Sequence, residues 1–170
     1  MKHRNVLAAG IAAMMALAAA GAQAAQSATA EMKDVEGKNV GTVTLTQTPH
    51  GVIMRAELKG LSSGWHGFHI HETGKCEPPF ESAGGHFNPT GAEHGFKNES
   101  GPHAGDVANI HVGDDGKALA EFFTSLVTLE EGKTNLMDGD GSAIIIHTSA
   151  DTYEEEPKAG DRIACGVIQG

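Results

Sequence analysis

Basic side chains are scarce in this sequence, which has 12 lysines and arginines against 22 aspartates and glutamates. The formal net charge is −10 at pH 7. An acidic surface of this kind does not attract nucleic acids or anionic lipids, because both partners carry negative charge themselves. The composition therefore argues against a nucleic-acid-binding function.

The long apolar run that a membrane-spanning helix needs is also missing. The run at residues 6–20 has ~15 residues, short of the ~20 required to cross a bilayer. Two basic residues precede it, and the motif AQA at 22–24 is a small-x-small pattern after which signal peptidase cuts. We therefore expect a signal peptide at 1–24 and a single exported domain at 25–170, located in the periplasm rather than outside the cell. This domain would have no membrane association, and without Lys2 and Arg4 its formal charge is −12.

The sequence has only two cysteines, Cys76 and Cys165, and both lie in the part expected to be exported. In an oxidising compartment a single pair favours one disulfide bond. No cysteine lies near the cleavage motif, which argues against a lipoprotein.

Amphipathic helical windows are absent after residue 24, and the apolar pattern is that of β-strands. In VGTVTLTQT (40–48) and GVIMRAELKGL (51–61) apolar and polar residues alternate strictly, as in strands with one buried face. Further candidate strands, separated by turn-forming residues, lie at 30–36, 65–71, 108–112, 118–126, 143–147 and 162–168. About eight short antiparallel strands predict an all-β sandwich or barrel.

Two long loops interrupt this pattern. Residues 72–105 are rich in Gly, Pro, Asn and His, and residues 148–161 include the acidic stretch YEEEP. A loop as long as the first is unusual in a compact domain unless something ties it down. We expect these two loops to carry the function.

Histidines concentrate in the first loop and in the strands that precede the two loops. Strand alternation places His69 and His71 on one face, ~7 Å apart, and Phe68 and Ile70 on the opposite, core-facing side. His147 should face outward for the same reason. Taken alone, this pair of histidines favours two solvent-exposed side chains over two metal ligands.

The long loop adds histidines at positions 86, 94 and 103, and an aspartate follows it directly at position 106. Three imidazoles and one carboxylate are a sufficient tetrahedral set for zinc. A bound metal would also keep the loop ordered, because its binding free energy becomes folding free energy. The alternative is a polar, solvated loop whose histidines have no ligand role.

Four motifs in this order, GFHIHE, GGHFNP, GPHAGD and GDRIACGVI, resemble those of the copper,zinc superoxide dismutases, particularly the bacterial periplasmic branch. The resemblance runs from about residue 30 to residue 170. It implies an eight-stranded antiparallel Greek-key barrel or sandwich with two long functional loops. It also implies one copper ion and one zinc ion per subunit, and dismutation of superoxide to molecular oxygen and hydrogen peroxide.

The resemblance assigns roles to individual residues. It implies that copper is bound by His69, His71, His86 and His147, and zinc by His86, His94, His103 and Asp106. His86 would thus bridge the two metals and deliver a proton during catalysis. Asp151 would hydrogen-bond one copper ligand, His69, and one zinc ligand, His94, and Arg162 would attract the substrate anion. The Cys76–Cys165 bridge would fasten the loop near Arg162.

Three other functions compete with this interpretation. A periplasmic copper or zinc carrier without catalysis would need the ligands, but it would not need Arg162 or Asp151. A purely structural β-sandwich would need neither the ligands nor these two residues. A copper-only member of the fold would not need the three ligands specific to zinc, His94, His103 and Asp106. The sequence leaves monomer and homodimer open.

Overall fold

The computed structural model describes residues 26–170, so the expected signal peptide at 1–24 lies outside the described residues. Within that range the chain forms nine β-strands and one short 3-10 helix at Glu81–Ala83. The strands are β1 Ser27–Asp34, β2 Asn39–Thr48, β3 Gly51–Lys59, β4 Gly64–His66, β5 Phe68–His71, β6 Ile110–Val112, β7 Lys117–Thr124, β8 Ala143–His147 and β9 Arg162–Gln169. None of the helical structure in residues 26–170 has the length and apolarity that a membrane crossing requires.

Seven strands form one antiparallel sheet in the order β5-β8-β9-β1-β2-β3-β7, and β4 pairs with β6 in a two-stranded sheet. Apolar side chains from both ends of the large sheet, and from β6, share one buried cluster. The large sheet therefore curls around a single core. The prediction of an all-β antiparallel Greek-key barrel or sandwich is confirmed.

The single strand expected at 65–71 is two strands that pair in different sheets, β4 with β6 and β5 with β8. The break is at Gly67, whose N–H donates to the carbonyl of Ser149 (2.8 Å) and whose carbonyl accepts the N–H of His147 (2.9 Å). A Cβ atom at this position would lie 3.0 Å from Cβ of Ala159 and 3.2 Å from Cε1 of His69. The glycine thus lets the chain change partners while the second loop packs closely against it.

The outer face of β5, β8 and β9 is covered rather than exposed. Phe68 and Ile70 belong to the core, as predicted, and His69 and His71 lie on the opposite face. The two histidines are nevertheless only 0% and 1% exposed. On the same outer side, a second apolar cluster packs the loop against β8 and β9 and consists of Phe80, Ala83, Ala143, Ile145 and Cys165. The alternative of two solvent-exposed histidines is therefore wrong.

A candidate metal centre

The long loop returns along the free edge of β5, which is the terminal strand of the large sheet. Ile70 donates its N–H to the carbonyl of Gly105 (2.9 Å) and accepts the N–H of Phe87 (2.8 Å). Gly105 in turn donates to the carbonyl of Phe87 (2.8 Å). These bonds place loop residues directly opposite the strand histidines, in the pairs His71–His86 and His69–Asp106.

Within residues 26–170, two groups of side chains have potential ligand atoms that all lie within 4.8 Å of one another. One group is His69, His71, His86 and His147, and the other is His86, His94, His103 and Asp106. These seven residues are the ones expected from the sequence to bind copper and zinc. His86 belongs to both groups.

In the first group, each of the three histidines on strands has one ring nitrogen hydrogen-bonded to a residue outside the group. His71 Nδ1–H donates to the carbonyl of Gly84 (3.0 Å), and His147 Nδ1–H donates to the carbonyl of Gly160 (3.1 Å). His69 Nε2–H donates to Oδ2 of Asp151 (2.7 Å). Because these partners only accept, the other nitrogen of each neutral ring carries a lone pair.

Those other nitrogens are His69 Nδ1, His71 Nε2 and His147 Nε2, and each is buried without a hydrogen-bond partner. A buried polar atom left unpaired typically costs ~1–3 kcal/mol. Three such atoms in one group, each with a free lone pair, fit a metal that prefers imidazole ligands, as copper does.

Burial also keeps these rings neutral, which is the form that binds a metal. Desolvation lowers the pKa of His71 to about 2 and that of His69 to about 4, in the latter against the opposing hydrogen bond to Asp151. Desolvation lowers the pKa of His147 as well.

In the second group, the potential ligand atoms converge closely on Oδ1 of Asp106. Oδ1 of Asp106 lies 2.8 Å from Nδ1 of His86, 3.0 Å from Nδ1 of His94 and 3.4 Å from Nδ1 of His103. The Nδ1 atoms of His86 and His103 are 3.5 Å apart. Four ligands at ordinary zinc–nitrogen and zinc–oxygen distances would be ~3.3 Å from one another. The donor set and its spacing therefore fit zinc.

The carboxylate of Asp106 is ionised and firmly oriented. Its second oxygen, Oδ2, accepts the N–H groups of Gly95 (2.9 Å) and His103 (3.0 Å). Burial acts to raise the pKa of Asp106, but the hydrogen bonds from His86, His94 and Gly95 together hold it well below its usual range.

His94 faces carboxylates with both ring nitrogens. Burial opposes its charge, yet the hydrogen bonds to Asp106 and Asp151 raise its pKa to about 9. Without a metal, both ring nitrogens of His94 therefore carry a proton at neutral pH. Metal binding through one nitrogen must displace the proton on it.

Asp151 lies between the two groups and contacts one histidine of each. Its Oδ2 is 2.7 Å from Nε2 of His69 and 3.0 Å from Nε2 of His94. Burial acts to raise the pKa of this carboxyl, but the hydrogen bonds with His69, His94 and the N–H of Tyr153 lower it overall. A single carboxylate thus restrains rings on both sides of His86.

Arg162 lies in an open depression that His71, His86 and His147 also line. Its Nη1 donates to the carbonyl of Phe80 (2.7 Å) and its Nη2 to that of Gly84 (2.8 Å). The predicted disulfide joins Cys76 to Cys165, with Cα atoms 5.6 Å apart, and holds the segment that supplies these carbonyls.

Comparison with known proteins identifies the family of this chain. The family model described as copper/zinc superoxide dismutase (SODC) matches residues 39–168. The chain belongs to this family.

Relatives within the copper/zinc superoxide dismutase family support the assignment. The chain is 45% identical over 149 residues to a Cu-Zn superoxide dismutase of Caulobacter vibrioides, covering 84% of this chain and 86% of the relative. It is also 45% identical over 141 residues to a superoxide dismutase-like protein of Bacillus subtilis, covering 79% and 72%.

Solved structures of family members superpose on the chain. A double mutant of the SOD-like protein from Bacillus subtilis gives a TM-score of 0.80 at 42% identity, covering 84% of this chain and 97% of the other. The Cu/Zn superoxide dismutase from Brucella abortus gives 0.69 at 29% identity, covering 85% and 100%.

Some residues that shape the site were not predicted from the sequence. Asn109 and Tyr153 bond to Asp151 and to each other, although neither belongs to a recognised motif. His66 is buried, with its ring nitrogens 2.7 Å from the carbonyl of His147 and 2.9 Å from that of Ser62. Their contacts are long-range or through the backbone, so no local spacing pattern could reveal them.

The acidic stretch YEEEP, by contrast, lines the depression beside Arg162 only through Pro157, and none of its three glutamates does so. Glu154 forms an ion pair with Lys97 at 3.2 Å, whereas the carboxylates that line the depression belong to Glu81 and Asp161. Oε2 of Glu81 is 3.9 Å from Nη2 of Arg162.

Proposed function

We propose that this chain is a superoxide dismutase that uses one copper ion and one zinc ion per subunit. Two superoxide anions and two protons give one molecule of oxygen and one of hydrogen peroxide. Copper supplies the one-electron redox couple that this reaction needs, and zinc, which has no redox chemistry, supplies a fixed charge and geometry. The observation that carries the proposal is the pair of ligand groups that share His86.

Each residue in the proposal would offer a defined atom. Copper would be held by Nδ1 of His69 and by Nε2 of His71, His86 and His147. Zinc would be held by the Nδ1 atoms of His86, His94 and His103 and by Oδ1 of Asp106. The supporting observations are the unpartnered nitrogens on one side and the four converging atoms on the other.

Three residues have roles in addition to, or instead of, metal binding. Arg162 attracts and orients the superoxide anion, since its guanidinium lines the same depression as the copper-side histidines. Because zinc would take Nδ1 of His86, its Nε2 is the atom that would carry a proton to the reduced substrate whenever it is not bound to copper. Asp151 fixes the tautomers of His69 and His94 by accepting from Nε2 of each.

A carrier of copper or zinc is the competing function, and similarity alone does not exclude it. A protein named only superoxide dismutase-like is as similar to this chain as a named dismutase is, at 45% identity. Catalysis is favoured by the guanidinium of Arg162, which two backbone carbonyls aim into the depression. A carrier has no use for a cation held beside its metal, because the two positive charges repel.

The proposal extends to the place where the enzyme acts. Residues 1–24 form a signal peptide, and the domain at 25–170 works in the periplasm. The AQA motif at 22–24 and the disulfide between Cys76 and Cys165 support this location, since disulfides persist in oxidising compartments.

Metal analysis combined with a dismutase assay tests the proposed function. Asp106→Ala should remove mainly zinc, because that group loses its only carboxylate, and should loosen residues 72–105. His147→Ala should remove copper and activity while zinc stays bound. Asp114→Ala and His111→Ala, which alter residues outside both groups, are the matched controls and should retain both metals.

The division of ligands is wrong if Asp106→Ala and His147→Ala, correctly folded, lose both metals to the same extent. A wild-type protein that takes up both metals but shows no dismutase activity would favour the carrier instead.

A further inference from the structure

Asn109 lies at the end of the long loop, just before β6, and its side chain reaches across to the second loop. Its Nδ2 donates to the carbonyl of Asp151 (2.9 Å), and its Oδ1 accepts the N–H of the same residue (2.8 Å). The side-chain amide thus satisfies both backbone groups of Asp151, as a neighbouring strand would.

Tyr153 completes this arrangement. Its hydroxyl accepts the backbone N–H of Asn109 (2.7 Å), and its own N–H donates to Oδ1 of Asp151 (2.7 Å). Its φ angle is +62°, a left-handed conformation that is uncommon for a non-glycine residue and persists only where the surroundings enforce it. The ring packs against Phe96 with centroids 5.4 Å apart.

The backbone of Asp151 must be held in place because its carboxylate contacts two histidines at once. It must reach Nε2 of His69 at 2.7 Å and Nε2 of His94 at 3.0 Å. Asp151 belongs to no strand, so no ladder of hydrogen bonds fixes its backbone. A shift of its Cα would move both contacts together.

We propose that Asn109 is a positioning residue which, with the hydroxyl of Tyr153, fixes Asp151 and so sets the ring orientation of one ligand in each metal group. The inference rests on the proposed function. It predicts that a change at Asn109, which is no ligand, alters zinc affinity and the copper environment together.

The test uses the full mature protein loaded with copper and zinc. Asn109→Ala removes both bonds to the backbone of Asp151. Tyr153→Phe removes only the hydroxyl acceptor and keeps the ring. Asn135→Ala is the matched control, because Asn135 is also half-buried and its Oδ1 caps a backbone N–H, that of Met137, at 2.9 Å.

Two measurements distinguish positioning of Asp151 from a purely stabilising contact between the two loops. Zinc affinity is measured by competition with a chelator, and the copper(II) environment by electron paramagnetic resonance. Asn109→Ala should weaken zinc about tenfold, the lower end of the effect seen for residues outside the ligand set. It should also shift the copper(II) spectrum, and Tyr153→Phe should change both in the same direction by less. Asn135→Ala should lower the melting temperature without changing either readout.

Unchanged zinc affinity and an unchanged copper(II) spectrum in Asn109→Ala would overturn the inference alone. If that variant does not fold, the same two unchanged readouts in Tyr153→Phe would overturn it. A wild-type protein that bound neither metal would overturn the proposed function and this inference with it.

Discussion

Removal of the disulfide should affect both stability and substrate capture, because the bridge lies behind the segment that anchors Arg162. The perturbation is the double variant Cys76→Ala/Cys165→Ala, which places no hydroxyl in the apolar cluster where Cys165 is 1% exposed. Phe80 and Gly84, whose carbonyls hold the guanidinium, follow Cys76 in the same loop.

The bridge joins positions 89 residues apart, so it restricts the unfolded chain strongly. In the loop-entropy relation a closed loop of this length corresponds to ~4–5 kcal/mol at 25 °C. At ~2–4 °C per kcal/mol for a domain of this size, the melting temperature should fall by about 8–20 °C.

Thermal unfolding of the metal-loaded and metal-free forms measures this change, and metal analysis with a dismutase assay measures the effect on the site. Both metals should stay bound, because the ligand-bearing part of the loop remains hydrogen-bonded to the edge of β5. The second-order rate should fall, because the carbonyls that hold Arg162 are less fixed. A melting temperature within about 3 °C of wild type in both forms would contradict the entropy argument. An unchanged rate would show that Arg162 is aimed without the bridge.

Two further substitutions test the entrance and the edge of the site. Arg162→Ile should keep both metals but lower the second-order rate about tenfold. Added salt should slow the wild-type reaction, because the screening length falls from ~30 Å at 0.01 M to ~10 Å at 0.1 M. A wild-type rate that rises with salt would show instead that the overall negative charge dominates. Gly105→Ala should lower the free energy of unfolding by ~1–3 kcal/mol, because the new Cβ would lie 2.2 Å from the carbonyl oxygen of Ile70. It should also lower zinc affinity. Gly139→Ala, where nothing lies within 4 Å, is the control, and equal effects in both variants would refute this reasoning.

Strand positions were predictable because each strand has one face in the core. The alternation in 40–48 and 51–61 corresponds to β2 and β3, and 143–147 coincides with β8. The division of 65–71 into β4 and β5 was not predictable, because it depends on long-range pairing. What ends β4 is the pairing of Gly67 with Ser149 and His147, far away in the sequence.

The site was predictable to the extent that its chemistry resides in side chains with recognisable spacing. The seven residues expected as ligands lie in two groups, with His86 in both. Backbone groups carry no sequence signature, so the carbonyls of Phe80, Gly84 and Gly160 could not be anticipated. Asn109 was missed for a related reason, since its partner is the backbone of a residue 42 positions away.

The pairing of the long loop with β5 also bears on solubility. β5 is a terminal strand, and an uncovered terminal strand presents N–H and C=O groups that can pair with another molecule. Here residues 86–87 and 105–106 occupy that edge, and the same loop holds the zinc-side groups. Loss of zinc would therefore remove a restraint on the segment that shields the strand. If His86, His94, His103 and Asp106 hold zinc as proposed, the metal would also keep this edge covered against pairing with another molecule.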